Sequence, residues 1–136
     1  MAKTINLGVL GIDHGHIFDM LDEMFKAGCS CDYFWTEGSP LTLDEFNKKY
    51  PQIKRVDKKS DILNDDGIDM ILISSIPKDR ANLSIDSLKA GKDVMVDKPG
   101  CTTLDQLNNL KKTVKETGKI WSINFSERFH VAAVAK

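Results

Sequence analysis

The sequence predicts a doubly wound α/β fold, in which helices cover both faces of a parallel sheet. Short apolar runs alternate with helical patterns along the chain, without internal repeats or low-complexity segments. The run at 68–73, IDMILI, is almost entirely apolar, as expected of a central parallel strand that is covered on both faces. Right-handed crossovers between such strands favour the strand order 3-2-1-4-5-6.

The first predicted strand–helix unit runs from Thr4 to Met24. Its apolar run at 5–10 predicts a strand that ends at Gly11. Apolar residues spaced by three and four, from Ile17 to Phe25, then predict one face of a helix that ends near Gly28. A strand, a glycine turn and a helix together form the arrangement in which N–H groups at a helix N-terminus bind phosphate.

The next two units are shorter. The aromatic-rich stretch 31–36 predicts a second strand, and the turn residues at 38–40 follow it. A capping box at 42–45, TLDE, predicts a helix that extends to about Tyr50 and stops at Pro51. A short third strand is predicted at 54–56, and one or two helical turns at 60–64.

The second half of the chain repeats the alternation. A helix is predicted over 80–90, with Leu83, Ile85 and Leu88 facing inward, and a fifth strand over 92–96. A second capping box, TLDQ at 103–106, opens a helix that Gly118 ends. A sixth strand is predicted over 120–125. The buried stripe of the last helix is predicted to contain Leu104, Leu107, Leu110 and Val114.

Composition excludes several classes of function. A net charge of −1 and a pI near 6.3 provide no basic surface, which argues against nucleic acid as a partner. An odd number of cysteines fits a reducing compartment, and the C-x-C at 29–31 has no second pair that would complete a zinc site. The N-terminus has no signal region, and no apolar run approaches the roughly 20 residues of a membrane span. We therefore expect a cytoplasmic protein without membrane contacts.

Ligands of such sheets bind beyond the carboxyl ends of the strands, where the strand order reverses. Gly8 and Gly11 have the spacing of a dinucleotide-binding turn, but a G-x-G-x-x-G pattern begun at Gly11 meets Asp13 and His16 at its other glycine positions. The position between the first strand and helix favours nucleotide binding. The alternative is a tight turn in which Asp13 only caps the helix.

Glu37 follows the second predicted strand. A carboxylate there can accept hydrogen bonds from both ribose hydroxyls of an adenosine, and it would repel the additional phosphate of NADP. No Arg or Lys lies between Glu37 and Glu45 to hold that phosphate, so NAD is preferred over NADP if a dinucleotide binds. The alternative is a solvated turn carboxylate.

The turn Asp97–Gly100, DKPG, follows the fifth strand at the same edge. The Lys98 ammonium could polarise a substrate oxygen or bind a nicotinamide amide, although such a tetrapeptide alone is more often a plain turn. Cys101 would be a reactive thiol only if Lys98 lowered its pKa, and a small buried residue is the preferred interpretation.

His14 and His16 flank Gly15. They could be metal ligands, but no carboxylate or cysteine stands at a supporting spacing nearby. A role in capping the helix or in contacting phosphate is therefore favoured, and no metal is expected.

Together these passages resemble the N-terminal domain of the Gfo/Idh/MocA family of glucose–fructose oxidoreductases and inositol dehydrogenases. Three segments carry the resemblance, which covers essentially the whole chain: GVLGIDHGHIFDML, SSIPKDRANLSIDSLKAGKDVMVDKPG and INFSERF. The most specific passage runs from Ala90 to Pro99 and corresponds to the family's Glu-Lys-Pro motif, with Asp97 in place of the glutamate.

This resemblance implies a Rossmann fold over residues 1–125 that binds NAD. It also implies hydride transfer between the nicotinamide and a sugar-like or cyclic polyol substrate. Lys98, which matches the family's lysine, would contact nicotinamide and substrate as the catalytic residue. The implied cofactor-binding residues are Gly8, Gly11, Ile12, Asp13, His14, Glu37, Ser75, Ile76, Pro77, Asp97 and Lys98.

The sequence also departs from the family pattern. Asp13 stands where a glycine usually admits the pyrophosphate, and Pro77-Lys78 replaces the family's Pro-Asn. Residues 126–136 resemble the start of the family's second α/β domain, which lines the substrate pocket and often mediates oligomers. We therefore expect a truncated enzyme that is inactive alone, with a homo-oligomer among the implied partners of the full-length protein.

A non-catalytic nucleotide-binding or sensing module is the alternative function. Asp13 and the short chain favour that alternative. Glu37 and Lys98, which follow separate strands at one edge of the sheet, favour the enzyme.

Overall fold

The computed structural model describes residues 3–125, which form a parallel sheet of six strands in the order 3-2-1-4-5-6. The predicted fold class and strand order are confirmed. The strands are β1 (Asn6–Leu10), β2 (Ser30–Trp35), β3 (Lys54–Arg55), β4 (Met70–Ile73), β5 (Asp93–Asp97) and β6 (Trp121–Asn124). The helices are α1 (His16–Lys26), α2 (Leu43–Lys49), α3 (Lys59–Leu63), α4 (Pro77–Lys89) and α5 (Leu104–Thr117). The predicted second domain at 126–136 lies outside the described residues.

Two apolar cores lie on opposite faces of the sheet, which is the doubly wound arrangement that the sequence predicts. Buried residues of α1 and α2 share one core with the β1 residues Leu7 and Val9. Buried residues of α3, α4 and α5 share the other core with Leu10 of the same strand. Alternate residues of β1 therefore serve opposite cores, as the pleat of a strand requires.

Gly8 lies within β1 and faces α3. A Cβ added there would lie 2.7 Å from Cγ2 of Ile62 and 3.2 Å from Cδ1 of Ile71. Because Gly8 has no side chain, α3 can pack closely against the sheet at this position. Gly8 therefore belongs to the packing of β1 against α3 and lies before the turn.

The first predicted capping box is wrong. Thr42 adopts a helical conformation, and its hydroxyl donates a hydrogen bond to the carbonyl of Ile12. Thr42 thus fixes the turn after β1 instead of accepting an N–H bond from its own helix. In the second box, Thr103 does cap α5, because its hydroxyl accepts the N–H of Gln106 at 3.1 Å.

Two predicted details of the helices are also wrong. Leu104 is 78% exposed, and Thr113 is buried beside Leu110 in the stripe of α5. The buried face is therefore rotated relative to the leucine pattern, and it begins after the first turn. Helix α4 starts at Pro77 rather than Arg80, because proline is well suited to the first helical position. Across residues 3–125, none of the helices combines the length and the hydropathy needed to cross a bilayer.

Candidate functional site

The turn after β1 lies at the carboxyl edge of the sheet, where the strand order reverses. Gly11 has φ +88°, and its N–H donates to the Trp35 carbonyl at 2.7 Å. A Cβ at this position would lie 2.5 Å from Cβ of Ser75 and 2.9 Å from its backbone nitrogen. Only glycine fits both the backbone conformation and this close approach.

Hydrogen bonds from neighbouring strands fix the rest of the turn. The buried Ile12 donates its N–H to the Thr36 hydroxyl at 3.3 Å, and its carbonyl accepts the hydroxyl of Thr42. His14 donates its N–H to the Ser74 carbonyl at 3.0 Å. Thr36 is the last residue of the second predicted strand and Ser74 directly follows the fourth, and the sequence did not indicate that either residue fixes this turn. Ile12 positions the turn through its backbone, with its side chain in the core.

Asp13 is half-buried, and the interpretation that it caps α1 is wrong. Gly15 occupies the N-cap position, and Nδ1 of His14 accepts the His16 N–H at 3.1 Å. Burial raises the pKa of the Asp13 carboxyl above its usual 3.8, although the N–H groups of Asp13 and Ile76 act in the opposite direction. The sequence favoured either capping or phosphate contact for the histidines, and His14 accepts the first N–H of α1 from the position before the N-cap.

The sheet brings Asp97, the last residue of β5, against both histidines. One carboxylate oxygen, Oδ1, lies 2.9 Å from Nδ1 of His16, and the other, Oδ2, lies 3.5 Å from Nδ1 of His14. Asp97 is fully buried, and its Oδ2 also lies 3.2 Å from the Ser74 hydroxyl. Its carboxylate is thus occupied by protein groups, which the sequence prediction of a cofactor contact did not foresee.

Arg80 on α4 is the buried cation of the site, and sequence reasoning missed it. It is 1% exposed and donates Nε to the Ser75 carbonyl at 2.7 Å. Its Nη1 donates to the carbonyl of Lys98 at 2.6 Å, and its Nη2 lies 3.5 Å from Oδ2 of Asp97. Burial lowers the pKa of Arg80, while the nearby carboxylates oppose that change. Helical spacing from Leu83 could have revealed it, because position 80 falls on the same inward face.

Lys98 is half-buried immediately after β5 and precedes Pro99 through a cis peptide bond. Arg80 holds the backbone on both sides of it, because Nη1 is also 3.3 Å from the carbonyls of Asp97 and Pro99. The loop that carries the predicted catalytic lysine is therefore fixed by a buried guanidinium. Cys101, beyond this loop, is half-buried against the second core.

A cleft of about 370 Å³ opens at the same edge, between the turn after β1, the end of β2 and helix α4. This volume lies within the usual range for small-molecule sites. The predicted residues that line it are Gly11, Asp13, Glu37, Ser75 and Ile76. The other lining residues, which the sequence did not indicate, are Trp35, Lys59, Asp79, Asn82, Leu83 and Asp86.

The remaining predicted residues lie elsewhere. Pro77 is the exposed first residue of α4, while His14 and Asp97 belong to the histidine–carboxylate cluster. The structure thus divides the predicted site into the cleft and a second region beside the Lys98 loop.

The charges near Glu37 differ from those expected. The cleft lining combines four carboxylates, those of Asp13, Glu37, Asp79 and Asp86, with the ammonium of Lys59. Arg55 donates Nη2 to the carbonyls of Thr36 and Gly38, at 2.9 and 2.7 Å. Two cations from β3 and α3 thus approach the turn after β2, although the sequence shows none between 37 and 45.

A family model described as an oxidoreductase family with an NAD-binding Rossmann fold matches residues 38–125. Among curated proteins, scyllo-inositol 2-dehydrogenase (NADP(+)) IolW of Bacillus subtilis is 24% identical over 134 residues, which is 94% of this chain and 35% of that protein. The NAD(+) scyllo-inositol 2-dehydrogenase of the same organism is 32% identical over 72 residues, or 53% of this chain and 21% of that protein.

Among solved structures, one described as an oxidoreductase, from Erwinia carotovora atroseptica SCRI1043, superposes with a TM-score of 0.91 at 32% identity. It covers 97% of this chain, which corresponds to 40% of that protein. The chain spans about a third of the length of the IolW relative. The family model matches more than half of the residues, and the sheet has the expected strand order. The chain therefore belongs to the Gfo/Idh/MocA oxidoreductase family, as an NAD(P)-binding Rossmann domain.

Proposed function

We propose that the chain is the cofactor-binding domain of an NAD-dependent oxidoreductase, which transfers hydride between nicotinamide and a sugar-like or cyclic polyol substrate. The observation that carries this proposal is the cleft, where the turns after β1, β2 and β4 meet at the strand-order reversal. The polyol class is supported by the two scyllo-inositol dehydrogenase relatives. These 136 residues align with only 35% of the IolW relative. We therefore propose that they bind the cofactor but do not turn over substrate.

The residues of the cleft fit the adenosine half of a dinucleotide. Glu37 would accept the ribose hydroxyls at the end of β2. Gly11 lets backbone approach closely, and Ser75 and Ile76 line the wall beside it. The N-terminus of α1 faces this edge at Gly15, where a Cβ would meet no heavy atom of the described residues within 4 Å other than those of its chain neighbours.

Lys98 is the proposed catalytic residue on the other side of the edge. A bound nicotinamide supplies the hydride acceptor or donor. The Lys98 ammonium would donate a hydrogen bond to the substrate oxygen that gains or loses a proton, and so stabilise developing negative charge there. Arg80 fixes the loop that presents it.

Binding of NAD can be tested through Trp35, which lines the cleft. Oxidised NAD does not absorb tryptophan emission, so quenching during a titration reports a change at or beside the indole ring. We expect quenching to persist in Trp121→Phe and to disappear in Trp35→Phe, because Trp121 lies on β6. Quenching that follows Trp121 instead would place the ligand elsewhere and contradict the proposed site.

The same titration tests the choice of cofactor. We expect NAD to bind about tenfold more tightly than NADP, equivalent to about 1.4 kcal/mol, because the cleft carboxylates repel an added phosphate. Glu37→Ala should narrow that difference. Lys59→Ala is the matched control and should widen it, because the removed ammonium lines the same cleft. Equal affinities of the parent for both cofactors would contradict the assignment of Glu37.

Asp13 favours a second candidate, a nucleotide-binding module without catalysis. An ionised carboxylate about 4 Å from a phosphate would cost on the order of 4 kcal/mol at an effective dielectric near 20. Its burial at the cleft makes that repulsion harder to screen. Weak binding by the parent chain, together with the absence of turnover by the complete protein, would support the module over the enzyme.

Asp13→Asn is expected to bind NAD more tightly than the parent at pH 7, and to raise the free energy of unfolding. The folded-state pKa of Asp13 is raised, so ionisation opposes folding above that pKa. The stability gain should therefore shrink as pH falls through the raised pKa toward 3.8. Calorimetric titrations and urea unfolding between pH 4 and 8 measure both effects, with Asp19→Asn on the exposed face of α1 as control. Unchanged or weaker NAD binding by Asp13→Asn would make the carboxylate a working part of the site.

A further inference from the structure

The histidine–carboxylate cluster has the composition of a metal site. His14 and His16 come from one tight turn, and Asp97 comes from the end of β5. One ligand atom from each residue lies within 4.8 Å of the others. We propose that these three residues bind a divalent transition-metal ion. This proposal rests on the cluster itself and does not depend on cofactor binding in the cleft.

The distances suit a small tetrahedral ion. Metal–ligand bonds of zinc to imidazole nitrogen and carboxylate oxygen are about 2.0–2.2 Å, so neighbouring ligand atoms are about 3.3 Å apart. Two separations are close to that value, 2.9 Å from Nδ1 of His16 to Oδ1 of Asp97 and 3.5 Å from Nδ1 of His14 to Oδ2, and each reaches a different oxygen of the carboxylate. The ligand atoms of the three residues lie within 4.8 Å of one another, so the side chains would have to close separations of up to 4.8 Å to about 3.3 Å around one ion.

The carboxylate is already oriented for this role. Ser74 and Arg80 both approach Oδ2 of the buried Asp97, at 3.2 and 3.5 Å, whereas Oδ1 is directed toward His16. Hydrogen bonds of this kind around a ligating carboxylate fix its geometry in metal sites. The Arg80 guanidinium also repels a cation, and this repulsion sets an upper limit on affinity.

Binding requires one rearrangement of protons. Nδ1 of His16 is within hydrogen-bond distance of Oδ1 of Asp97, and a metal ion bound to Nδ1 would replace that contact, leaving Nε2 to carry the proton of the ligating imidazole. Nδ1 of His14 would bind the metal with the lone pair that now accepts the N–H of His16, so that hydrogen bond would be lost.

The donor set identifies the class of ion. Two imidazoles and one carboxylate favour zinc, cobalt or nickel over magnesium and calcium, which prefer oxygen ligands. His14 and His16 are 54% and 32% exposed, so the fourth position would face solvent. An ion there could bind an additional oxygen ligand at the sheet edge that carries Lys98.

The test is titration of the metal-free chain with Zn²⁺ by calorimetry, and with Co²⁺ by visible absorption. We expect one ion per chain, with excess Mg²⁺ unable to displace it. His14→Gln and His16→Gln should each weaken binding by at least about tenfold, since loss of even an outer-shell partner costs about that much. Zn²⁺ should raise the melting temperature of the parent more than that of either variant.

Cys29→Ser is the matched control for binding by thiols. Cys29 precedes β2 at the opposite edge of the sheet, so this variant should bind Zn²⁺ as the parent does, and the cobalt spectrum should lack a sulfur charge-transfer band. Circular dichroism melts of each metal-free variant establish that it folds. The proposal is overturned if no saturable uptake occurs, if folded His14→Gln and His16→Gln bind like the parent, or if Cys29→Ser abolishes binding.

Discussion

Replacing Arg80 with alanine is expected to lower the free energy of unfolding by about 3–5 kcal/mol. The variant would leave the fully buried Asp97 carboxylate without its guanidinium neighbour and would remove donors from the Ser75 and Lys98 carbonyls. Burial of such groups without partners carries their full desolvation cost. Urea denaturation followed by circular dichroism measures the loss.

Arg55 provides the matched control, since it also donates to two backbone carbonyls. It is exposed, so water can replace it, and Arg55→Ala should cost only about 0.5–1 kcal/mol. Arg80→Lys should remain strongly destabilising, because one ammonium cannot reproduce the spread of the guanidinium. Equal losses for Arg80→Ala and Arg55→Ala would show that Asp97 does not depend on Arg80.

Gly11→Ala is expected to destabilise the fold by about 2–5 kcal/mol. About 1–2 kcal/mol would come from placing a side chain at φ +88°. A further 1–3 kcal/mol, roughly, would come from overpacking, because the new Cβ would lie 2.5 Å from Cβ of Ser75. The turn can relieve this clash only by moving away from β4, so NAD binding should weaken as well.

Gly28→Ala separates the two contributions to this loss. Gly28 has φ +93°, but apart from its chain neighbours no heavy atom of the described residues lies within 4 Å of a Cβ added there. The control should therefore cost only about 1–2 kcal/mol from the backbone conformation. If both variants lose the same stability, the close approach of Gly11 to Ser75 contributes nothing and the overpacking argument fails.

Buried contacts connect the DKPG turn to helix α4. Arg80 contacts the backbone of three successive residues, Asp97, Lys98 and Pro99, and approaches the Asp97 carboxylate. Lys92, also in the specific passage of the family resemblance, is buried, and its ammonium donates to the carbonyls of Asp65 and Ile68 at 2.7 and 2.8 Å. Part of that passage is thus structural, and Lys98 remains its proposed reactive group.

The sequence by itself determined the fold class, the strand order and the place of the glycine turn. Apolar runs and helical spacings are local properties, and right-handed crossovers convert their order into a sheet. Local patterns were less reliable at surfaces, where Leu104 matched a buried stripe but is exposed. The Thr42 capping box failed because the Ile12 carbonyl competes for the same hydroxyl.

Only the tertiary structure decided which charged groups meet. Asp97 and His16 are 81 positions apart in the sequence, and Arg80 and Asp97 are 17 positions apart. Arg55 and Lys59 approach the turn after β2 from the neighbouring strand and helix. Periodicity gives the face on which a residue lies, whereas the pairing of residues across an edge depends on the register and spacing of all strands. For that reason the sequence located the edge of the proposed site, while the buried Arg80–Asp97 pair and the histidine cluster emerged only from the assembled sheet.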